Sequence, residues 1–187
     1  MGRCRSPLLA GWLTLVTYGV YFPVWLGITW REMRIESKDP GMRPLGHALA
    51  IFVPIYGLFR VDDHFRTLNS IAREVGARRL ANRGVVVACT AIAWVAISPL
   101  NFPFMALLLL AGVNIFVTIW LPFGIAVALC AFIVGYGQSI LNQRWRTNAS
   151  ASVVEGMTKI ELGVALVGSL TLLWTLLFWS VRFARHA

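Results

Sequence analysis

Apolar residues gather in long runs along this chain, and short polar stretches rich in arginine separate them. The first run covers about 8–29. A helix needs about 20 apolar residues to cross the hydrocarbon layer of a bilayer, so this run is long enough to cross. Similar runs lie at about 45–61, 85–110, 114–140 and 162–181. Between 85 and 140 there is no Asp, Glu, Lys or Arg, and that length suffices for two or three crossings. The pattern predicts an all-α fold: a single-domain polytopic membrane bundle of five transmembrane helices, or six if 85–140 crosses three times.

Prolines and glycines punctuate the runs. Pro23 should kink the first helix, because it removes a main-chain donor and crowds the preceding turn. Asp39-Pro40-Gly41 reads as a turn. Pro54 interrupts the short second run, which either crosses or re-enters. Pro99 and Pro103 give the strongest break inside 85–140, with Gly112-Val113-Asn114 and Pro122 as weaker ones. Trp25 and Trp30 fall where an aromatic belt would meet the lower membrane surface.

The polar stretch after the second run has a helical period. Val61, Phe65, Leu68, Ala72 and Val75 share one face. Arg66 and Arg73 stand off it, and Arg78, Arg79 and Arg83 follow. This predicts a basic amphipathic helix at about 61–83. Arg60, Arg66, Arg73, Arg78, Arg79 and Arg83 are then the candidate contacts for anionic lipid or an acidic partner. Two placements fit the pattern: flat on an anionic leaflet, or packed on the protein's own polar cap.

Composition agrees with lipid as the solvent. Of 187 residues, 58% are hydrophobic and 13% charged, with mean hydropathy +0.70; soluble domains average about 25% charged. Net charge is +9, and the basic residues flank apolar runs instead of forming one patch. That placement favours a membrane surface over nucleic acid, which is not expected as a partner. With five spans and a cytoplasmic amino terminus, Arg3, Arg5, the 60–83 arginines, Arg144, Arg146 and Lys159 lie inside. Arg31, Arg34, Lys38, Arg43, Arg182 and Arg185 then lie outside. Five spans give the larger inside excess.

The first run lacks a small-residue cleavage site and reads as a retained signal anchor. Gly2, Cys4 and Ser6 match an acylation pattern that a chain with several spans does not need. Cys4, Cys89 and Cys130 lack the spacing of zinc, haem or thiol-exchange sites.

Chemistry is thin. No charged residue lies inside a predicted span, which argues against a proton-coupled transporter. Asp62, Asp63 and His64 form the best polar cluster. Adjacent helical residues splay about 100° apart, so they cannot share one ion. Asn114 reads as a turn or helix–helix hydrogen-bond residue, and Glu161 as a helix start. No phosphate-binding glycine loop, HExxH or GxSxG occurs. The sequence specifies no cofactor and no metal, and no enzyme is expected.

Thr17, Gly19, Tyr21 and Trp25 match the pattern TxG[IV]YxxxW. Together with Trp30-Arg31-Glu32-Met33, Leu68-Asn69 and QSILNQRW at 138–145, they resemble a family of bacterial membrane proteins. That family carries the domain of unknown function numbered 4234. The firm part of the resemblance covers roughly residues 8–75, and Pro23 departs from the pattern. It implies a multi-pass protein of the bacterial inner (plasma) membrane and no agreed activity. The leading reading is an accessory, scaffold or assembly subunit that binds anionic lipid and a membrane-protein partner or a second copy. The alternative is a passive channel or small-solute transporter. A lipid-acting enzyme centred on Asp62, Asp63 and His64 ranks third.

Overall fold

The computed structural model describes residues 3–38, 41–77, 80–147 and 154–184; for 154, 155, 176 and 179–184 it describes the main chain alone. Gly2, the Asp39-Pro40 turn, Arg78, Arg79, Arg185 and the side chain of Arg182 lie outside the described residues. Among these residues the fold is helical almost throughout, in line with the all-α expectation. Its helices are α1 (Pro7–Val16), α2 (Tyr21–Ser37), α3 (Pro44–Leu49), α4 (Pro54–Glu74), α5 (Arg83–Ile97), α6 (Phe102–Leu110), α7 (Ile115–Thr147) and α8 (Lys159–Ala184). Short 3-10 turns at Ala50–Phe52 and Pro99–Asn101 join α3 to α4 and α5 to α6. A two-residue strand β1 (Arg3–Cys4) pairs in parallel with β2 (Val154–Glu155).

The first apolar run, expected as one helix over 8–29, is two helices. The break sits at Tyr18 (φ 51°) and Gly19 (φ 87°). The Gly19 N–H reaches back to the Thr14 carbonyl at 2.8 Å, a left-handed helix closure that glycine adopts without strain. Tyr21 N–H then donates to Thr17 Oγ1 at 3.0 Å and starts α2. Pro23 causes no kink. It occupies the first turn of α2, where main-chain N–H groups have no partner within the helix anyway.

The break turns the chain back. A Cβ on Gly11 would lie 3.3 Å from the Ala131 carbonyl oxygen, and one on Gly135 would lie 3.2 Å from that of Pro7. So α1 runs antiparallel to α7. In α2, Trp25 meets Gln138 while Glu36 meets Arg144, so α2 runs parallel to α7. The two helices are therefore arms of a hairpin. Ten residues of α1 rise about 15 Å, half of a ~30 Å hydrocarbon layer.

A second hairpin follows. Ala48 of α3 packs on Gly27 and His47 stacks on Trp30, which sets α3 against α2. Val53 is extended, and Pro54 opens α4 at the helix position proline suits best. The 45–61 span and the 61–83 helix are thus redrawn as α3, a turn and one continuous α4. The apolar face of α4 is present over Val61, Phe65, Leu68 and Ala72, all buried, whereas Val75, read on the same face, is the residue that caps the helix end and is half-buried. The face packs into the protein's own core, where the Trp25 ring lies 6.4 Å from that of Phe65 and a Cβ on Gly137 of α7 would lie 3.0 Å from Phe65 Cζ.

The remaining helices reach further. α7 has 33 residues and a window of mean hydropathy 2.4, 28% buried; it is the one helix among the described residues long and apolar enough by itself to cross a membrane. α5 and residues 99–110 meet that test together, but they bend by 77° at Ser98-Pro99. The polar stretch over 141–147 is not a connector. It is the end of α7, with Leu141, Asn142, Arg144 and Trp145 buried.

Candidate functional site

The helix directions bring the starts of α1, α5 and α8 and the ends of α2, α4 and α7 to one end of the molecule. A buried polar network sits there. Arg5, held by β1, donates to both oxygens of Glu32 at 3.1 and 2.6 Å. Its Nε lies 2.6 Å from Glu161 Oε1. The Arg5 main-chain N–H donates to Asn142 Oδ1 at 3.2 Å, and Asn142 Nδ2 donates back to the Arg5 carbonyl. Gln138 Nε2 donates to Asn142 Oδ1 at 2.8 Å, and Trp25 Nε1 donates to Gln138 Oε1 at 2.9 Å. Tyr21 hydroxyl donates to Glu161 at 2.6 Å. Beside it, Arg144 pairs with Glu36.

Glu161 has two tasks. It closes a capping box with Thr158: the Thr158 N–H donates to Glu161 Oε2 at 2.6 Å, and the Glu161 N–H to Thr158 Oγ1 at 3.2 Å. That is the helix start expected of it. The same carboxylate also reaches across the fold to Arg5 and Tyr21. Burial raises its pKa, but Arg5, the Tyr21 hydroxyl and the Thr158 donors outweigh burial and hold it below the usual range. Burial likewise lowers the Arg5 pKa, and the Glu32 hydrogen bond with the two carboxylate charges more than reverses this. A buried charge is tolerated only when paired and hydrogen-bonded in this way.

An aromatic box adjoins the network. His64 is fully buried, with Trp25, Trp30 and Phe65 at ring distances of 5.4, 5.1 and 5.5 Å. Its Nε2 lies 3.4 Å from Thr29 Oγ1, and its Nδ1 has no partner among the described residues. Burial, helped by the charge of nearby His47, pulls its pKa down to about 3.

The predicted Asp62, Asp63 and His64 cluster does not converge. Asp62 binds Arg83, Asp63 binds Arg60 and Arg66, and His64 points into the core. The Arg83 hydrogen bond holds Asp62 below the usual carboxylate range, against a smaller effect of burial. Of the six candidate arginines, Arg60 also lies over Tyr56, 4.8 Å from the ring centroid. Arg60, Arg66 and Arg83 are thus already engaged within the chain, while Arg73 is exposed. Arg78 and Arg79 lie outside the described residues. The signature residues divide their work: Thr17 and Gly19 build the hairpin tip, Tyr21 joins the network, and Trp25 joins it and the box.

From the sequence, Arg5 read only as a flanking arginine, and Glu32, Gln138 and Asn142 lay within segments that carry the resemblance with no role of their own. The legible signal was the i, i+4 spacing of Gln138 and Asn142 at the end of an apolar run.

Above the network, three helix breaks meet. Tyr18, Gly19 and Val20 of the first tip, Ile51 and Phe52 of the second, and Ser98 and Pro99 of the elbow border one cavity of about 500 Å³. Its walls are apolar and carry no charge. Thr90 and Ser98 hydroxyls there donate to the Val86 and Val95 carbonyls of their own helix at 2.8 and 3.1 Å.

No family model, curated protein or solved structure matches this chain.

Proposed function

We propose that this chain is a plasma-membrane protein that acts as a scaffold or assembly subunit, with its charged end and amino terminus in the cytoplasm. The carrying observation is the segregation of charge. On α2, α5, α7 and α8 the described basic side chains sit at the helix ends that meet the network: Arg31 and Arg34, Arg83, Arg144 and Arg146, and Lys159. The far halves of α7 and α8 expose Ile115, Ile119, Leu170, Leu173 and Trp174. An apolar surface of that extent suits lipid or a membrane partner.

In this reading α7, the bent pair of α5 and α6, and the apolar 162–181 run of α8 cross the bilayer; among the described residues α7 alone meets the length and hydropathy test unaided. The hairpins α1–α2 and α3–α4 enter from the cytoplasmic side and return. Arg31, Arg34, Lys38 and Arg43 then lie inside, not outside as in five alternating spans. The inside excess of basic residues grows accordingly. Arg31, Arg34 and Arg73 are exposed there and would meet anionic lipid or an acidic partner.

The network supports a structural role because most of its donors and acceptors meet one another across the fold; Arg5 Nε, in ion-pair contact with Glu161, makes no hydrogen bond among the described residues. The network locks both arms of the first hairpin to α7 and α8.

Labelling tests the topology. With the native cysteines replaced, Lys38→Cys should react with a membrane-impermeant maleimide only after cells are permeabilised. Labelling in intact cells would restore the alternating arrangement. Gentle detergent extraction tests the role: a stoichiometric protein partner is expected, and a lone monomer would overturn the scaffold reading.

A further inference from the structure

We infer that the cavity at the three helix breaks is a binding site for one acyl chain of a membrane lipid. The inference rests on the membrane reading above and adds a ligand to it.

Irregular backbone is tolerated at hydrocarbon depth only where protein covers it or a cavity receives it. Here three interruptions of apolar runs, distant in sequence, open onto the same space. They come from three separate connections, so their meeting is a property of the assembled fold.

The wall chemistry selects the ligand class. No charged side chain lines the space, the Thr90 and Ser98 hydroxyls and Trp94 Nε1 already donate to main-chain carbonyls, and the Tyr18 hydroxyl adds a single polar group. An ion or a sugar finds no partner set there, whereas hydrocarbon does.

Size selects further. A dry apolar cavity of about 150 Å³ holds a benzene-sized molecule. This cavity, at about 500 Å³, is far larger. A helix with its side chains is about 10 Å across and rises 5.4 Å per turn, so one turn alone fills roughly 400 Å³. A partner's transmembrane helix therefore does not fit, and a thin flexible chain does.

Access is lateral. Val20, Phe52 and Ile97 stand on the rim and are more than half exposed, at 60, 65 and 58%. They face the apolar surround, from which a lipid tail can enter. Lipid tails are as apolar as the walls, so transfer from the bilayer gains little hydrophobic free energy. The gain is van der Waals contact for walls that would otherwise border a void. The site should therefore hold one chain with little preference for the headgroup.

The test uses the full chain in vesicles of phosphatidylethanolamine and phosphatidylglycerol, with a trace of phospholipid bearing a diazirine near the end of its acyl chain. After irradiation, mass spectrometry maps the adducts. Adducts should concentrate on residues around Ile51, Trp94 and Cys130, at least fivefold over the exposed face of α8. Ala93→Phe on α5 and Ala126→Leu on α7, which fill the cavity from two different helices, should each remove that excess and leave the α8 adducts unchanged. Adducts spread evenly over exposed apolar residues, or an excess that survives both fillings, would overturn the site. The wild-type map decides by itself if either variant fails to fold. Release of the chain from membranes by alkaline carbonate would overturn the membrane reading and the site together. Retention with scattered adducts would overturn the site alone.

Discussion

His64 makes the stability of this fold sensitive to mild acid. Its imidazole is buried among Trp25, Trp30 and Phe65, and only the neutral form suits that box. In the fold its pKa is about 3, while in an unfolded chain it is about 6.5. Below pH 6.5 the unfolded state takes up a proton that the folded state refuses, so stability present above 6.5 drains away as the pH falls towards 3. The rate is about 1.36 kcal/mol per pH unit, which makes about 2 kcal/mol between pH 7 and pH 5.

Glu161 and Asp62, whose pKa values are lowered, hold their stabilising charge above about 4 and lose it only at lower pH, outside this window. The replacement His64→Phe keeps a flat ring in the box. Thr29 still donates to the Trp25 carbonyl at 2.8 Å. The assay is thermal unfolding of purified protein in mild detergent at both pH values. Wild type should lose about 4–8 °C in Tm between pH 7 and pH 5, by the scaling for chains of this size. His64→Phe should lose markedly less. Equal losses in the two proteins would refute the reasoning, because the acid sensitivity would then belong to another group.

Other substitutions probe the network and the packing. Glu161→Gln keeps the capping geometry but leaves Arg5 with Glu32 alone, and should cost about 3 kcal/mol in detergent unfolding. Gln138→Leu strands Trp25 Nε1, while Asn142 keeps both its bonds to the Arg5 main chain, and should cost about 1–3 kcal/mol by the same measurement. Gly137→Ala places a Cβ 2.5 Å from Trp25 Cη2; the overpacking should cost about 1–3 kcal/mol. Gly168→Leu drives a side chain into Thr17 Cγ2, 2.4 Å from the Cβ position. It should free α8 from α1 and increase its proteolysis while the other helices stay protected. Asp62→Asn, which weakens a half-buried bidentate pair with Arg83, should cost no more than about 1 kcal/mol in detergent unfolding at pH 7.

Resemblance and periodicity pointed at pieces of the site without assembling it. Tyr21, Trp25, Glu32 and Gln138 all lie in segments that carry the resemblance, and all are buried. Nothing in the sequence joined them, because their partners are remote: Tyr21 and Glu161 stand 140 positions apart. Arg5 read as one more flanking arginine. Its burial is worthwhile only once Glu32 and Glu161 both arrive, and that depends on two helix directions.

Residue order alone determined the helical character, the apolar face of α4 and the splitting of Asp62, Asp63 and His64. Each follows from a local period or angle that a helix imposes on its neighbours. Only the tertiary structure decided that the first two apolar stretches double back instead of running on. Hydropathy measures how greasy a stretch is and how long; it is blind to the sign of the chain's direction after a turn. That sign is fixed by contacts such as Gly11 on Ala131 and Glu36 with Arg144. It gathers the charges at one end and leaves a cavity where the turns meet.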